Sequence, residues 1–141
     1  MPSTSQYEPK PLPFQKSLIG ISEKTMQIHH DKLYVGYVNK KLEIGKQLRE
    51  YALGTKDPSG ANQTYSEFRA LKDAQTFAAN GVYLHEYYFN VLGGDGTPAG
   101  SLVDALTSSF GSFANFQNYF TASGMAARGW AVLAWNTHEG K

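Results

Sequence analysis

The sequence predicts a mainly α-helical protein, in which a long antiparallel α-hairpin is followed by short helices and the first strand of an α/β domain. Two long stretches, 22–53 and 65–92, contain no proline and repeat apolar side chains at helical spacing. The segment between them, 54–63, is rich in glycine and polar residues, which is typical of a loop. The run 130–135 is short, apolar and flanked by turn residues, which indicates a strand.

The first long helix follows a proline-rich segment. Prolines are dense before residue 17, and they exclude helix there and favour an extended arm. Ser22 is a candidate N-cap for the helix. The apolar stripe of this helix consists of Met26, His30, Leu33, Tyr37, Ile44 and Leu48, and His29 lies at its edge. Gly36 and Gly45 are the points at which we expect any break in it.

The second long helix ends at the glycine pair 93–94, which is a strong C-terminal signal. Its apolar stripe consists of Leu71, Ala74, Ala78, Gly81, His85, Phe89 and Leu92. The small members of this stripe precede His85 and let a partner helix approach closely. Two long helices joined by a short loop most simply form an antiparallel hairpin.

Two shorter helices and a strand are expected in the rest of the chain. The helices cover 101–110 and 113–125, and the strand covers 130–135. A single strand leaves its ladder groups unpaired, so the sequence shows the opening of a sheet that it does not complete. We expect two domains: an N-terminal arm and α-hairpin over 1–94, and a truncated C-terminal α/β domain over 95–141.

Charge balance and the lack of cysteine exclude several classes of protein. The 141 residues include 13 Lys+Arg and 12 Asp+Glu, and a net charge of +1 gives no bulk attraction to nucleic acid. The absence of cysteine excludes disulfides, zinc–thiolate sites, iron–sulfur clusters and a cysteine nucleophile. The N-terminus lacks the basic and apolar regions of a signal peptide, and no apolar run is long enough to span a membrane. We therefore expect a globular protein with no nucleic-acid or membrane partner. The absence of cysteine fits any compartment, and the compartment that we expect is the cytoplasm.

Histidines are the strongest chemical signal in the sequence. There are four, and His29 and His85 lie on faces where the two long helices can pack together. Imidazoles from two antiparallel helices can meet in the way that metal sites of helical bundles are assembled. A single histidine on an apolar stripe is more often a satisfied core residue, and a redox metal ordinarily takes three or more protein ligands. Spacing alone leaves open a metal site for a redox ion, a pair of core histidines, and a two-histidine module for zinc or copper.

Five ordered motifs resemble those of the iron/manganese superoxide dismutases. They are YEPKPLPF at 7–14, TMQIHHDKLYVGYVN at 25–39, LHEYYF at 84–89, FGSF at 110–113 and GWA at 129–131. The first matches that family's N-terminal arm, and the second and third match the ligand regions of its two long helices. The resemblance extends over most of the chain, from Tyr7 to Asn136.

This resemblance implies roles for individual residues. His29 and His85 would be the first two ligands of a manganese or iron ion, with one ion per subunit in a complete site. Tyr37 would line the substrate channel, Trp130 would form an aromatic wall of the cavity, and His30 would be a buried neighbour of the first ligand. The substrate would be superoxide, converted to oxygen and hydrogen peroxide by alternating oxidation and reduction of the metal. The family also implies a homodimer or homotetramer.

Several positions depart from the family's pattern. Leu33 stands where many members have a channel histidine, and Phe89 where many have tryptophan. Gly81 replaces the glutamine common in iron-type members, which favours manganese or the use of either metal. The family's remaining ligands, an aspartate and a third histidine, have no counterpart before Lys141. We therefore expect an iron/manganese-type superoxide dismutase of which these 141 residues form an incomplete chain. The alternative is a catalytically inactive structural or assembly protein on the same scaffold.

Overall fold

The computed structural model describes residues 7–14 and 17–140. The chain divides into two compact units, Met1–Gly93 and Gly94–Lys141. Most of the described residues are helical, which confirms the expectation of a mainly α-helical fold. In the ranges that the structure covers, no helix is long and apolar enough to cross a membrane.

The first long helix of the hairpin is continuous but not regular. It consists of three consecutive segments: α1 (Glu23–Gln27), a π-helix (Ile28–Tyr34) and α2 (Val35–Ala52). The Ser22 side chain accepts a hydrogen bond from the backbone N–H of Thr25 at 3.1 Å, which confirms the predicted N-cap. The expected break at Gly36 or Gly45 is absent, because both residues lie within the regular turns of α2. The irregularity lies earlier, in the π-helix.

The π-helix shifts the buried face of this helix by one residue. A π turn closes its hydrogen bonds over five residues instead of four, so it adds about one residue per turn. Met26 is buried as predicted, and Tyr37 is half-buried and packs against the core, but the fully buried Tyr34 and Val38 lie outside the predicted stripe. Leu33 is 51% exposed. The stripe predicted from a regular helical period is therefore wrong at Leu33 and omits Tyr34 and Val38.

The second long helix, α3 (Glu67–Asn90), runs antiparallel to the first. Near the connecting loop, the Tyr51 ring lies 5.0 Å from the Phe68 ring. At the far end of the hairpin, the ring of His29 lies 4.8 Å from that of His85. Residues early in the first helix therefore meet residues late in α3, which confirms the predicted α-hairpin.

Two apolar clusters stabilise the hairpin. The cluster near the histidines consists of Met26, Tyr34, Val38, Val82 and Phe89, and the cluster near the loop consists of Ile44, Leu71 and Ala78. Leu12 and Phe14 of the arm pack against the first cluster. The arm has no regular secondary structure over residues 7–14, in keeping with its prolines. It therefore covers the same end of the hairpin that carries the histidines.

The second unit contains the two short helices α4 (Ser101–Phe110) and α5 (Phe113–Ala126), as predicted. Gly111 separates them with a left-handed φ of 80°, a conformation that glycine adopts at little cost. The strand predicted over 130–135 is not formed. A strand requires a partner for its ladder, and among the described residues the sole β-bridge joins Leu18 to Ile21 in the first unit. The apolar composition of 130–135 was therefore insufficient to define a strand by itself.

Candidate metal centre

The candidate site is built around two histidine rings, one from each long helix of the hairpin. The centroids of the His29 and His85 rings lie 4.8 Å apart, and the ring planes are nearly perpendicular, at 83°. His85 is 4% exposed and is the one buried polar side chain among the described residues, whereas His29 is half-buried. The hairpin thus brings together the two residues that the sequence singled out.

A backbone contact orients the ring of His85. Its Nδ1 atom lies 2.5 Å from the carbonyl oxygen of Gly81, one turn earlier in α3. A carbonyl oxygen only accepts hydrogen bonds, so Nδ1 carries the proton and donates it. The lone pair of the neutral ring is then on Nε2. Metal-bound histidines are commonly oriented in this way, with the second ring nitrogen donating to a carbonyl group.

The environment of His29 favours its neutral form. Burial lowers the pKa of His29 below its ordinary value, and the nearby His85 lowers it further. A metal ion binds the deprotonated nitrogen of imidazole, so the neutral ring is the form that can act as a ligand.

The spacing of the two rings suits a shared ion, but two rings do not make a full ligand set. With nitrogen–metal distances of about 2.1 Å, two imidazole centroids bound to one ion lie about 5 Å apart, close to the observed separation. Within residues 7–14 and 17–140, no group of three His, Cys, Asp or Glu side chains is arranged to hold a metal. Manganese prefers oxygen ligands, and non-haem iron commonly adds a carboxylate to two histidines. The described residues therefore fit two positions of such a site, and any ion there requires further donors.

Tyr37 packs beside His85 over a glycine. The centroids of the two rings are 5.4 Å apart. A Cβ atom at position 81 would lie only 2.6 Å from Cγ of Tyr37. The absence of a side chain at Gly81 therefore makes room for the Tyr37 ring, and the same residue orients His85 through its carbonyl oxygen.

Aromatic rings surround the two histidines. Phe89 is buried, and its ring centroid lies 5.5 Å from that of His29 and 6.0 Å from that of His85. Tyr88 lies 5.1 Å from His29. These rings remove apolar surface from water and lower the polarity around the imidazoles.

His30 contacts the N-terminal arm. Its Nε2 atom lies 2.8 Å from the backbone oxygen of Lys10, and its Nδ1 atom lies 2.6 Å from Oδ1 of Asp31. Both ring nitrogens of His30 thus face oxygen atoms of the protein. The observed contacts of His30 hold the arm and do not point to a role as a metal ligand.

Trp130 belongs to the second unit. It is 37% exposed and lines an apolar groove with Phe110, Phe116, Tyr119 and Phe120. Its expected role as a wall of the metal cavity stays a prediction.

A carboxylate next to His85 was missed by sequence reasoning. Glu86 accepts hydrogen bonds from the hydroxyl groups of Tyr34, at 2.9 Å, and Tyr7, and it forms an ion pair with Lys10. Burial raises the pKa of Glu86, but the hydrogen bonds from Lys10 and the two tyrosines outweigh it and lower the pKa below its ordinary value. The one available signal was a charged residue within the aromatic run that follows His85, because helical periodicity does not reveal contacts with a distant arm.

The fold and the site define a class of protein: a mainly helical chain whose α-hairpin brings one histidine from each long helix into ring contact. Residues 98–141 match the family model described as iron/manganese superoxide dismutases, C-terminal domain. The chain belongs to the iron/manganese superoxide dismutase family, which confirms the resemblance seen in its motifs.

Individual relatives support this assignment over most of the chain. An iron superoxide dismutase of Aquifex pyrophilus is 39% identical over 136 residues, which cover 95% of this chain and 63% of the relative. A manganese superoxide dismutase of Halobacterium salinarum is 34% identical over 140 residues, covering 96% of this chain and 66% of the relative. A mitochondrial manganese superoxide dismutase of Branchiostoma floridae is 35% identical over 111 residues, which cover 77% of this chain and 72% of the relative. The chain spans about three fifths of the length of the iron superoxide dismutases of Aquifex pyrophilus and Aquifex aeolicus.

Proposed function

We propose that this chain is part of a superoxide dismutase that uses iron or manganese, with His29 and His85 as two of the metal ligands. The observation that carries the proposal is the ring contact between these histidines, together with the bond from His85 to the Gly81 carbonyl. The iron and manganese dismutases among the relatives support this choice of metal and of superoxide as substrate. None of the relatives reported above favours the alternative of a non-catalytic assembly protein.

The metal would supply reversible one-electron exchange with superoxide, and the residues of the chain would bind and enclose it. His29 and His85 would each give one ring nitrogen. Tyr37 would stand beside the site with a hydroxyl group that can pass a proton toward it, and two protons are needed for every two superoxide ions converted to oxygen and hydrogen peroxide. Phe89 would exclude water from one side of the imidazoles.

Further parts of the proposal concern features outside the hairpin. Trp130 would form an aromatic wall of the cavity, and His30 would support the first ligand by holding the arm. The remaining ligands, including a carboxylate, would come from groups other than the two imidazoles. The proposed protein forms a homodimer or homotetramer and is located in the cytoplasm.

Metal loading of the full chain tests the proposal. The metal-free chain is incubated with Mn²⁺ or, under anaerobic conditions, Fe²⁺, and then desalted, after which bound metal is measured by mass spectrometry and superoxide decay by stopped-flow absorbance. We expect a His29→Ala/His85→Ala variant to lose about tenfold or more of its metal affinity. His138→Ala is the matched control, because it removes an exposed histidine of the second unit.

The two readouts separate the parts of the proposal. Metal retained equally by the double variant and the control would refute the assignment of His29 and His85. Bound metal without faster superoxide decay would refute the activity of this chain but would not contradict the assignment of the metal ligands.

A further inference from the structure

One residue of the arm is bound at three points. The Lys10 ammonium lies 2.5 Å from Oε2 of Glu86, and the Lys10 backbone N–H donates to the Tyr34 hydroxyl at 3.0 Å. The Lys10 carbonyl oxygen lies 2.8 Å from Nε2 of His30. Lys10 therefore contacts both long helices of the hairpin.

The attachment points are the sequence neighbours of the two site histidines. His30 directly follows His29 in the π-helix, and Glu86 directly follows His85 in α3. Lys10 thus connects the backbone segments that carry the two imidazoles. A displacement of one segment relative to the other would break at least one of the three contacts.

The Glu86 carboxylate is held more tightly than a surface charge. Its side chain is 11% exposed and meets three donors, from Lys10, Tyr34 and Tyr7. Removal of this half-buried carboxylate would leave the hydroxyl groups of Tyr34 and Tyr7 without their acceptor, which is costly where water reaches them poorly. The position of Glu86 is accordingly determined by partners on two other parts of the chain.

We infer that Glu86 is a positioning residue, which together with Lys10 forms a brace that fixes the relative placement of His29 and His85. The expected effect of Glu86 on metal binding rests on the proposed function, because the placement of the imidazoles matters chiefly if they share an ion. Residues that orient metal ligands without touching the metal commonly change metal affinity by 10- to 100-fold when replaced.

The test compares two similar glutamates in the full chain. Glu67 at the loop end of the hairpin also pairs with a lysine, Lys56, and accepts a hydrogen bond from a tyrosine, Tyr51. Imidazole ¹⁵N resonances are recorded by NMR in the metal-free chain, helicity by circular dichroism, and Mn²⁺ affinity by electron paramagnetic resonance titration. Glu86→Ala should shift the imidazole resonances of His29 and His85 and weaken Mn²⁺ binding about tenfold or more, with helicity preserved.

The controls separate positioning from a general loss of structure. Glu67→Ala should leave the imidazole resonances unchanged and Mn²⁺ affinity within about twofold of the parent chain, since exposed ion pairs contribute little. Glu86→Gln should recover most of the affinity, because an amide oxygen can still accept from the tyrosine hydroxyl groups. Imidazole resonances of Glu86→Ala that match those of Glu67→Ala would overturn the inference.

The experiment still tests the role of Glu86 in two further cases. If the parent chain binds no Mn²⁺, the metal part of the proposed function fails, and the imidazole resonances alone decide whether Glu86 positions the histidines. If Glu86→Ala does not fold, Lys10→Met is compared with Lys56→Met, which breaks the equivalent ion pair at the loop end. Equal effects of these two lysine variants on the His29 and His85 resonances would then overturn the inference.

Discussion

The replacement Gly81→Ala separates intrinsic helix propensity from the packing of the candidate site. Alanine in place of glycine inside a helix ordinarily stabilises a protein by about 1 kcal/mol. At position 81, however, the new Cβ would lie 2.6 Å from Cγ and 2.7 Å from Cε1 of Tyr37. Cγ is the base of the ring and cannot swing away without a change of the whole side chain, and such overpacking costs about 1–3 kcal/mol. We therefore expect Gly81→Ala to be destabilising by about 0–2 kcal/mol.

Gly45→Ala is the matched control, because Gly45 lies within α2 and a Cβ there meets nothing within 4 Å. It should stabilise the chain by about 0.5–1 kcal/mol, which makes the expected difference between the two variants about 0.5–3 kcal/mol. Urea unfolding followed by circular dichroism measures this difference, and near-ultraviolet circular dichroism reports displacement of the Tyr37 ring. Equal stabilisation by both replacements would refute the close packing of Tyr37 on Gly81.

Three further predictions concern the hairpin and its arm. The Val82 side chain is fully buried, so Val82→Ala should lower the free energy of unfolding by about 2 kcal/mol. The Val91 side chain is 77% exposed, so the control Val91→Ala should change the free energy of unfolding by less than about 0.5 kcal/mol. Ser66→Ala should cost about 1 kcal/mol in urea unfolding, because it removes the acceptor that caps α3, and an unchanged midpoint would contradict this. Burial and the bond to Glu86 raise the pKa of Tyr7 above its usual 10.0, so its contribution to stability is present below pH 10 and lost as pH rises further. Tyr7→Phe should therefore lose less stability than the parent chain between pH 9 and 11 when both are unfolded in urea, and an equal loss would argue against the Tyr7–Glu86 contact.

Helix ends and helix pairing could be predicted from local sequence. Ser22, the predicted N-cap, accepts the backbone N–H of Thr25, and Ser66 caps α3 through a contact of the same kind. The second helix ends at Asn90, three residues before the glycine pair that was expected to stop it. Such signals depend on residues close in the chain, so they are visible without a structure. The pairing of His29 with His85 also followed from a local observation, since each residue lies on the packing face of its own helix.

The features that could not be predicted depend on distant contacts or on partners. The bond from Tyr34 to Glu86 joins residues far apart in sequence, and no periodic pattern marks either as its partner. No glycine or proline interrupts Ile28–Tyr34, so the sequence carries no local breaker that would mark the π-helix. The segment 130–135 has strand-like composition, but strand formation requires a second strand as well as composition.

The π-helix explains how neighbouring residues can serve both the site and the brace. In a regular helix, adjacent side chains diverge strongly in direction, and a wider turn reduces this divergence. His29 and His30 are adjacent, yet each ring centroid lies 5.5 Å from that of Phe89 on α3. His29 can therefore meet His85 while His30 binds the arm at Lys10. Because a π turn is much rarer than an α turn, its presence at these residues indicates that contacts to α3 and the arm outweigh the local preference for a regular helix.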